Sequence, residues 1–144
     1  MERIKVSLPQ EFRFSTTLKI RITDLNYGGH VGNDVFLSLV HEARQQYLNQ
    51  FGYSELDMEG AGLIMADAAI EYKRELKYGD EVQISVAAAG MDRLGFDIFY
   101  KIEVRVGESW EVAGRVKTGM LCFDYTANKK VSVPQKAIEK IGFL

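Results

Sequence analysis

The chain is predicted to fold as α+β, an antiparallel sheet wrapped around one long helix, in a single domain over residues 1–144. Three observations carry this. Apolar and polar side chains alternate over residues 12–22, the period of a strand with one buried face. From about Asp34 to Phe51 the apolar period lengthens to three or four, the signature of an amphipathic helix. Several more alternating stretches follow, separated by glycine-bearing turns, which suits antiparallel pairing. One helix with a single apolar face, followed by a strand meander, buries that face best inside the curl of the sheet.

In the first strand Phe12, Phe14, Thr16, Leu18, Ile20 and Ile22 share one side, and Arg13, Ser15, Thr17, Lys19 and Arg21 the other. On the helix, Phe36, Val40, Ala43, Tyr47 and Phe51 form the apolar face. Asn33 or Asp34 is its expected N-cap, and Gly52 its expected C′ residue. The connection "GYSELDMEGAG" leads to a strand over residues 63–73. Further strands are expected over 82–90 (Val82, Ile84, Val86, Ala88), 96–106 (Phe96 to Val106) and 110–124 (Trp110, Val112, Val116, Met120). The turns between them are "KYGDE", "DRLG" and "RVGES". Pro134 is placed to open a short helix through Ile141. A sheet curled this way leaves two edge strands, and pairing them between chains covers them, so a homo-oligomer is expected.

The composition narrows the function classes. Net charge is −2, with 47% hydrophobic and 26% charged residues, an ordinary soluble balance without the basic excess of a nucleic-acid binder. The single Cys122 excludes an intrachain disulfide and a cysteine-rich zinc site, and its apolar strand setting reads as core. The opening "MERIKVSLPQEF" lacks the apolar segment of a secretory leader, and no apolar run reaches membrane-spanning length. A cytoplasmic protein with no membrane partner is expected. There is no G-x-S-x-G and no phosphate loop, and His30 and His41 lack a zinc-motif spacing, so no metal and no cofactor are expected.

What remains is the strand-to-helix junction, "RITDLNYGGHVGND", residues 21–34. A helix start carries free N–H groups and a positive dipole end, and glycines before it admit another molecule close to the backbone. Such a place polarises a carbonyl oxygen, with Asp24, Asn26 and His30 beside it. The same residues also fit a plain capped helix after a tight turn.

This segment, continued through "VFLSLVHEARQQYL", resembles the opening signature of hot-dog-fold thioesterases of the 4-hydroxybenzoyl-CoA and acyl-CoA thioesterase family. The family reads approximately R-x-x-D-x-D-x-x-G-H-V-N-N, then an aromatic, then E-x-A-R. Arg21, Asp24, Gly29, His30, Val31, Asn33, Phe36, Ala43 and Arg44 fit it. "IEYKRELKYGDEVQI" is similar to the family's aromatic strand end and Gly-Asp turn, and "RLGFDIFYKIEV" with "VAGRVKTGMLCFDYTANKKVSVP" extends the likeness through residues 12–142. The resemblance implies a hot-dog fold paired as a dimer or dimer of dimers, and hydrolysis of an acyl-CoA or acyl-carrier-protein thioester. It implies a carboxylate at position 26 that attacks the thioester or activates water, with a polarising N–H near Gly32 or Asn33. Gly28, Gly29, Val31, Gly32 and Asn33 would then line the substrate, and the acyl group would lie along the helix between two subunits.

The chain departs from that pattern at the decisive position. Residue 26 is Asn, which is no general base and a poor nucleophile. Gly32 replaces the first Asn of H-V-N-N, and His41 replaces the helical acid, with Glu42 beside it. The replacement base is sought among Asp24, His30, Glu42 and Asp67; a histidine is a common general base. Each has a plainer reading: a turn acid, a turn histidine, a solvated helix acid and a salt-bridged strand acid. Arg93, with Lys73, Arg74 and Lys77, is placed to meet CoA phosphates or simply to face solvent. The alternatives to a thioesterase are a non-catalytic or weakly active acyl-thioester binder and a hot-dog dehydratase.

Overall fold

The computed structural model describes all 144 residues. Strands β1 (Phe14–Lys19), β2 (Gly62–Tyr72), β3 (Glu81–Ala89), β4 (Gly95–Val106) and β5 (Ser109–Asp124) form one antiparallel sheet in the order β1-β3-β4-β5-β2. A two-residue β6 (Lys129–Lys130), not anticipated from the sequence, pairs with the end of β5. Helix α1 (Val35–Asn49) lies in the curl of the sheet, and α2 (Gln135–Ile141) closes one end after Pro134.

The strand alternation places Val82, Ile84 and Val86 of β3, Ile98, Tyr100 and Ile102 of β4 and Val116 and Met120 of β5 against the helix, all buried. From α1, Phe36, Leu39, Val40, Ala43, Tyr47 and Leu48 meet them. Cys122 is fully buried in this core, and burial pushes its thiol up to about 11. Arg44 is also buried. Its guanidinium donates to Glu55 at 3.0 Å and to the Tyr100 hydroxyl at 3.0 Å, and that hydroxyl pairs with Thr118 at 2.8 Å. A buried cation is tolerable only with such partners.

Two boundaries differ from the sequence reading in ways that shape the site. The first strand stops at Lys19 rather than running to residue 22, because Ile22–Asp24 wind into a 3-10 turn closed by Asp24. Beyond Asn49, Gly52 has φ +79° and donates to the Asn49 carbonyl, one position later than C′. Strand β2 carries a bulge at Ala66, between Met65 and Asp67, which resets the pairing with β5.

Candidate active site

The junction is built from a loop that doubles back on itself. Leu25 bridges Val31, the Asn26 N–H donates to the His30 carbonyl at 3.0 Å, and the Gly29 N–H donates to the Asn26 carbonyl at 3.1 Å. Gly29 sits at φ +82°, the left-handed region where a side chain is strained. The buried Val31 pins the loop to the β2–β3 connection by donating to the Leu76 carbonyl at 2.8 Å. Tyr27 is left fully exposed at the tip.

Asn26 holds this turn through its side chain. Its Oδ1 accepts from the Gly28 N–H at 2.8 Å, an Asx arrangement. A backbone donor faces only an acceptor, so the amide orientation is fixed and Nδ2 points the other way. That nitrogen lies 3.7 Å from the position a Cβ on Gly32 would take. Gly32 therefore keeps open a space that Asn26 Nδ2 and the Asp34 carboxylate both border.

Helix α1 begins directly behind. Asp34 is the N-cap residue but makes no side-chain capping bond. Val35 N–H bonds the Gly32 carbonyl, and Leu37 N–H that of Asp34, while the N–H groups of Gly32, Asn33 and Asp34 have no partner within the chain. Three unpaired donors at a helix start, beside an amide NH₂, make a site for a partly negative oxygen. Tyr72, at the end of β2, closes one side. Its hydroxyl donates to the Asn33 carbonyl at 2.8 Å and its ring stacks edge-on to Phe36 at 5.0 Å. Burial and the Asp34 charge raise its pKa.

His30, half-buried, stands on the Gly28 side of Asn26. Its Nδ1 lies 3.2 Å from the Val31 carbonyl and its Nε2 3.9 Å from Glu75 Oε1. A Cβ on Gly28 would stand 3.1 Å from Asn26 Oδ1 and 3.4 Å from His30 Nε2, so the two side chains flank one small space. Neither Tyr72 nor Glu75 was placed in the site by sequence reasoning. Tyr72 carried a signal, as the aromatic ending a strand in "IEYKREL"; Glu75, a charge in a polar connection, carried none.

The other candidates stand elsewhere. Asp24 is buried and committed: its carboxylate accepts the Arg21 backbone N–H at 2.8 Å and pairs with that guanidinium at 3.2 Å. Burial pushes its carboxyl up, but the Arg21 hydrogen bonds and charge outweigh this and hold it below the usual aspartate range. It closes the 3-10 turn and is no free base. Glu42 lies on the exposed face of α1, bonded to Gln46 at 2.9 Å. At eight residues past Asp34 it is about 12 Å along the helix from the N–H groups. It borders, with Asp24, Ser38, His41 and Gln45, a separate polar cleft of about 570 Å³ between α1 and β1.

Asp67 sits on the outer face of the sheet, with the sheet between it and α1. Its carboxylate accepts from Lys117 at 2.8 Å and from the Gly119 N–H at 2.9 Å, the Lys117 bond lowering its pKa most. The expectation that it serves as a base fails within one chain. Arg93 is in the β3–β4 turn, at the far end of the sheet from the junction, and reaches toward Ser132 at 3.5 Å. The nine residues of β3 separate the two ends by about 30 Å, so Arg93 meets nothing at the junction of its own chain.

Residues 20–141 match the family model described as the thioesterase-like superfamily. A 1,4-dihydroxy-2-naphthoyl-CoA hydrolase of Microcystis aeruginosa is 28% identical over 128 residues, 87% of this chain and 90% of the relative. A 1,4-dihydroxy-2-naphthoyl-CoA thioesterase from Synechocystis superposes with TM-score 0.78 at 22% identity, covering 91% of this chain and 96% of that one. An Asp-to-Asn mutant of 4-hydroxybenzoyl-CoA thioesterase, complexed with 4-hydroxybenzoyl-CoA, superposes with TM-score 0.80 at 16% identity, covering 89% and 97%.

Proposed function

This chain belongs to the thioesterase-like superfamily, and from that premise we propose that it hydrolyses an acyl-CoA thioester to free acid and thiol at the β1–α1 junction. The observation that carries the reading is the donor set there. The N–H groups of Gly32, Asn33 and Asp34 are unpaired, and Asn26 Nδ2 lies beside Gly32, whose missing side chain leaves room for a carbonyl oxygen. Developing negative charge on that oxygen is what such donors stabilise.

The working unit is a homodimer, or a dimer of such dimers, paired along β2. That edge presents Met65, Ala66 and Ala68 exposed, and Asp67, the single charge from residue 62 to 70, is turned onto Lys117. A long, mostly apolar edge whose one charge is turned onto its neighbour strand is the kind of strand another chain pairs with. Antiparallel pairing sets the Gly62 end of one β2 beside the Tyr72 end of the other. Arg93 is held near that first end, since Leu94 bonds Cys122, the register partner of Leu63. In the dimer, Arg93 of one chain is thus brought toward the junction of the other, where CoA phosphates would lie.

A second reading, a binder that retains the thioester uncut, is favoured by one observation. The residue at the family's carboxylate position is Asn26, and the 4-hydroxybenzoyl-CoA thioesterase that superposes with its CoA thioester bound is an Asp-to-Asn mutant. Thiol release from a panel of acyl-CoA esters, aliphatic and aromatic, decides between them. Release from any ester supports the hydrolase; binding of esters without release supports the binder.

A further inference from the structure

We propose that His30 is the water-activating base of this site, that Asn26 serves as an oxyanion donor in place of the lost carboxylate, and that Glu75 supplies the facing negative charge while the imidazole is protonated. The proposal rests on the thioesterase reading and names how it works without an acid at residue 26. Three geometric facts carry it. The Val31 carbonyl can only accept, so the Nδ1 of His30, 3.2 Å away, bears the ring proton of the neutral imidazole. Nε2 then carries the lone pair, and at 3.9 Å from Glu75 Oε1 it is beyond hydrogen-bond distance and free to take a proton. Finally, Nε2 faces the space over Gly28 that Asn26 borders from the other side.

Asn26 is turned so that its oxygen is consumed by the Gly28 N–H and its NH₂ faces Gly32 and the start of α1. A carboxylate there would present an acceptor to the carbonyl oxygen; the amide presents a donor. The two side chains divide the labour that an acid would otherwise attempt alone.

The step balances. His30 Nε2 takes a proton from water as the water oxygen bonds the thioester carbon. The carbonyl electron pair moves to oxygen, which the Asn26 NH₂ and the helix N–H groups stabilise. The pair returns, the C–S bond breaks, and the imidazolium gives its proton to the departing thiolate. Glu75 faces the imidazolium while it exists. Of the other acids near this space, Asp34 borders Gly32 at the start of α1, and Asp24 is turned away onto Arg21.

The test uses the full chain and its best thioester from the panel. His30→Gln should lower kcat by about 10²–10⁴ while leaving KM within a few-fold. His30→Ala should recover rate with added imidazole, in proportion to imidazole concentration. Glu75→Gln should lower kcat several-fold and leave KM within a few-fold, because the imidazolium loses its facing carboxylate, and Glu75→Asp should keep most of the rate. A purely structural Glu75 would change stability and leave kcat in place. Thiol release by His30→Gln at the wild-type rate overturns the assignment and leaves the thioesterase standing. A wild-type protein that binds thioesters and releases no thiol overturns both.

Discussion

Replacing Asn26 with Asp restores the acid that the family pattern carries, and the sign of its effect is decided by what Asn26 now does. The two side chains are nearly isosteric, and Asp keeps an oxygen for the Gly28 N–H at 2.8 Å, so the turn should persist. The change falls on the second atom, where an NH₂ facing Gly32 becomes a carboxylate oxygen. If Asn26 is an oxyanion donor, one donor is lost and an acceptor put in its place, a cost of about 10²–10³ in kcat. If the site lacks a base altogether, a positioned carboxylate adds about 10²–10⁴. With His30 as base, the expected result is a fall in kcat of about 10²-fold or more, with an unchanged melting temperature. The assay is thiol release at saturating ester, with wild type and variant measured side by side. A tenfold or greater rise would refute the donor role and mark Asn26 as a lost carboxylate.

Other perturbations separate the parts of the site. Arg93→Ala should raise KM for an acyl-CoA several-fold and leave an acyl-pantetheine ester, which lacks the nucleotide phosphates, unaffected; equal effects on both would remove Arg93 from CoA binding. Gly29→Ala puts a side chain at φ +82° and should cost about 1–2 kcal/mol of stability, read by denaturant unfolding, where an exposed change such as Lys136→Ala should cost little. Gly32→Ala should instead leave stability nearly unchanged, since the first atom it meets is the movable Asp34 carboxylate, yet lower kcat/KM by filling the donor space. Asp24→Asn should cost about 1–3 kcal/mol at neutral pH. Because the folded pKa of Asp24 is depressed, its stabilisation is present above the unfolded value near 3.9 and is lost as pH falls through the lower folded value. The gap between wild type and Asp24→Asn should therefore close in acid, and a gap independent of pH would deny the Arg21 pairing its role.

The fold was legible because its signals are periodic and local. Alternation in Val82 to Ala88 and Phe96 to Val106, and the helical spacing of Phe36, Val40, Ala43 and Tyr47, each report one buried face, and the structure buries those faces together. The 3-10 turn escaped notice because Ile20 and Ile22 keep strand parity while Asp24 bends the chain through its own side chain. The site was legible in part. Loop and helix start were located from the glycines and the amide, but the four candidate bases could not be sorted. What sorts them is which face of a strand or helix each occupies and what each already bonds. The bulge at Ala66 sits in an unremarkable run of small apolar residues, and nothing in it announces that Asp67 will reach Lys117 across the outer face. Glu75 acquires a partner only because Val31 ties its loop to Leu76.

The resemblance to the family and the loss of its acid are compatible for a physical reason. The turn needs an oxygen at residue 26 to receive the Gly28 N–H, and either Asn or Asp supplies it. The left-handed Gly29, the buried Val31 and the open Gly32 then follow from backbone demands that do not consult the charge at residue 26. The donors at the start of α1 are thus retained under Asn, and a hydrolase working there draws its proton acceptor from another residue. Among the four candidates for that role, Asp24 and Asp67 are held by Arg21 and Lys117, and Glu42 is two turns away along α1. His30 alone stands beside Asn26 with an unoccupied nitrogen.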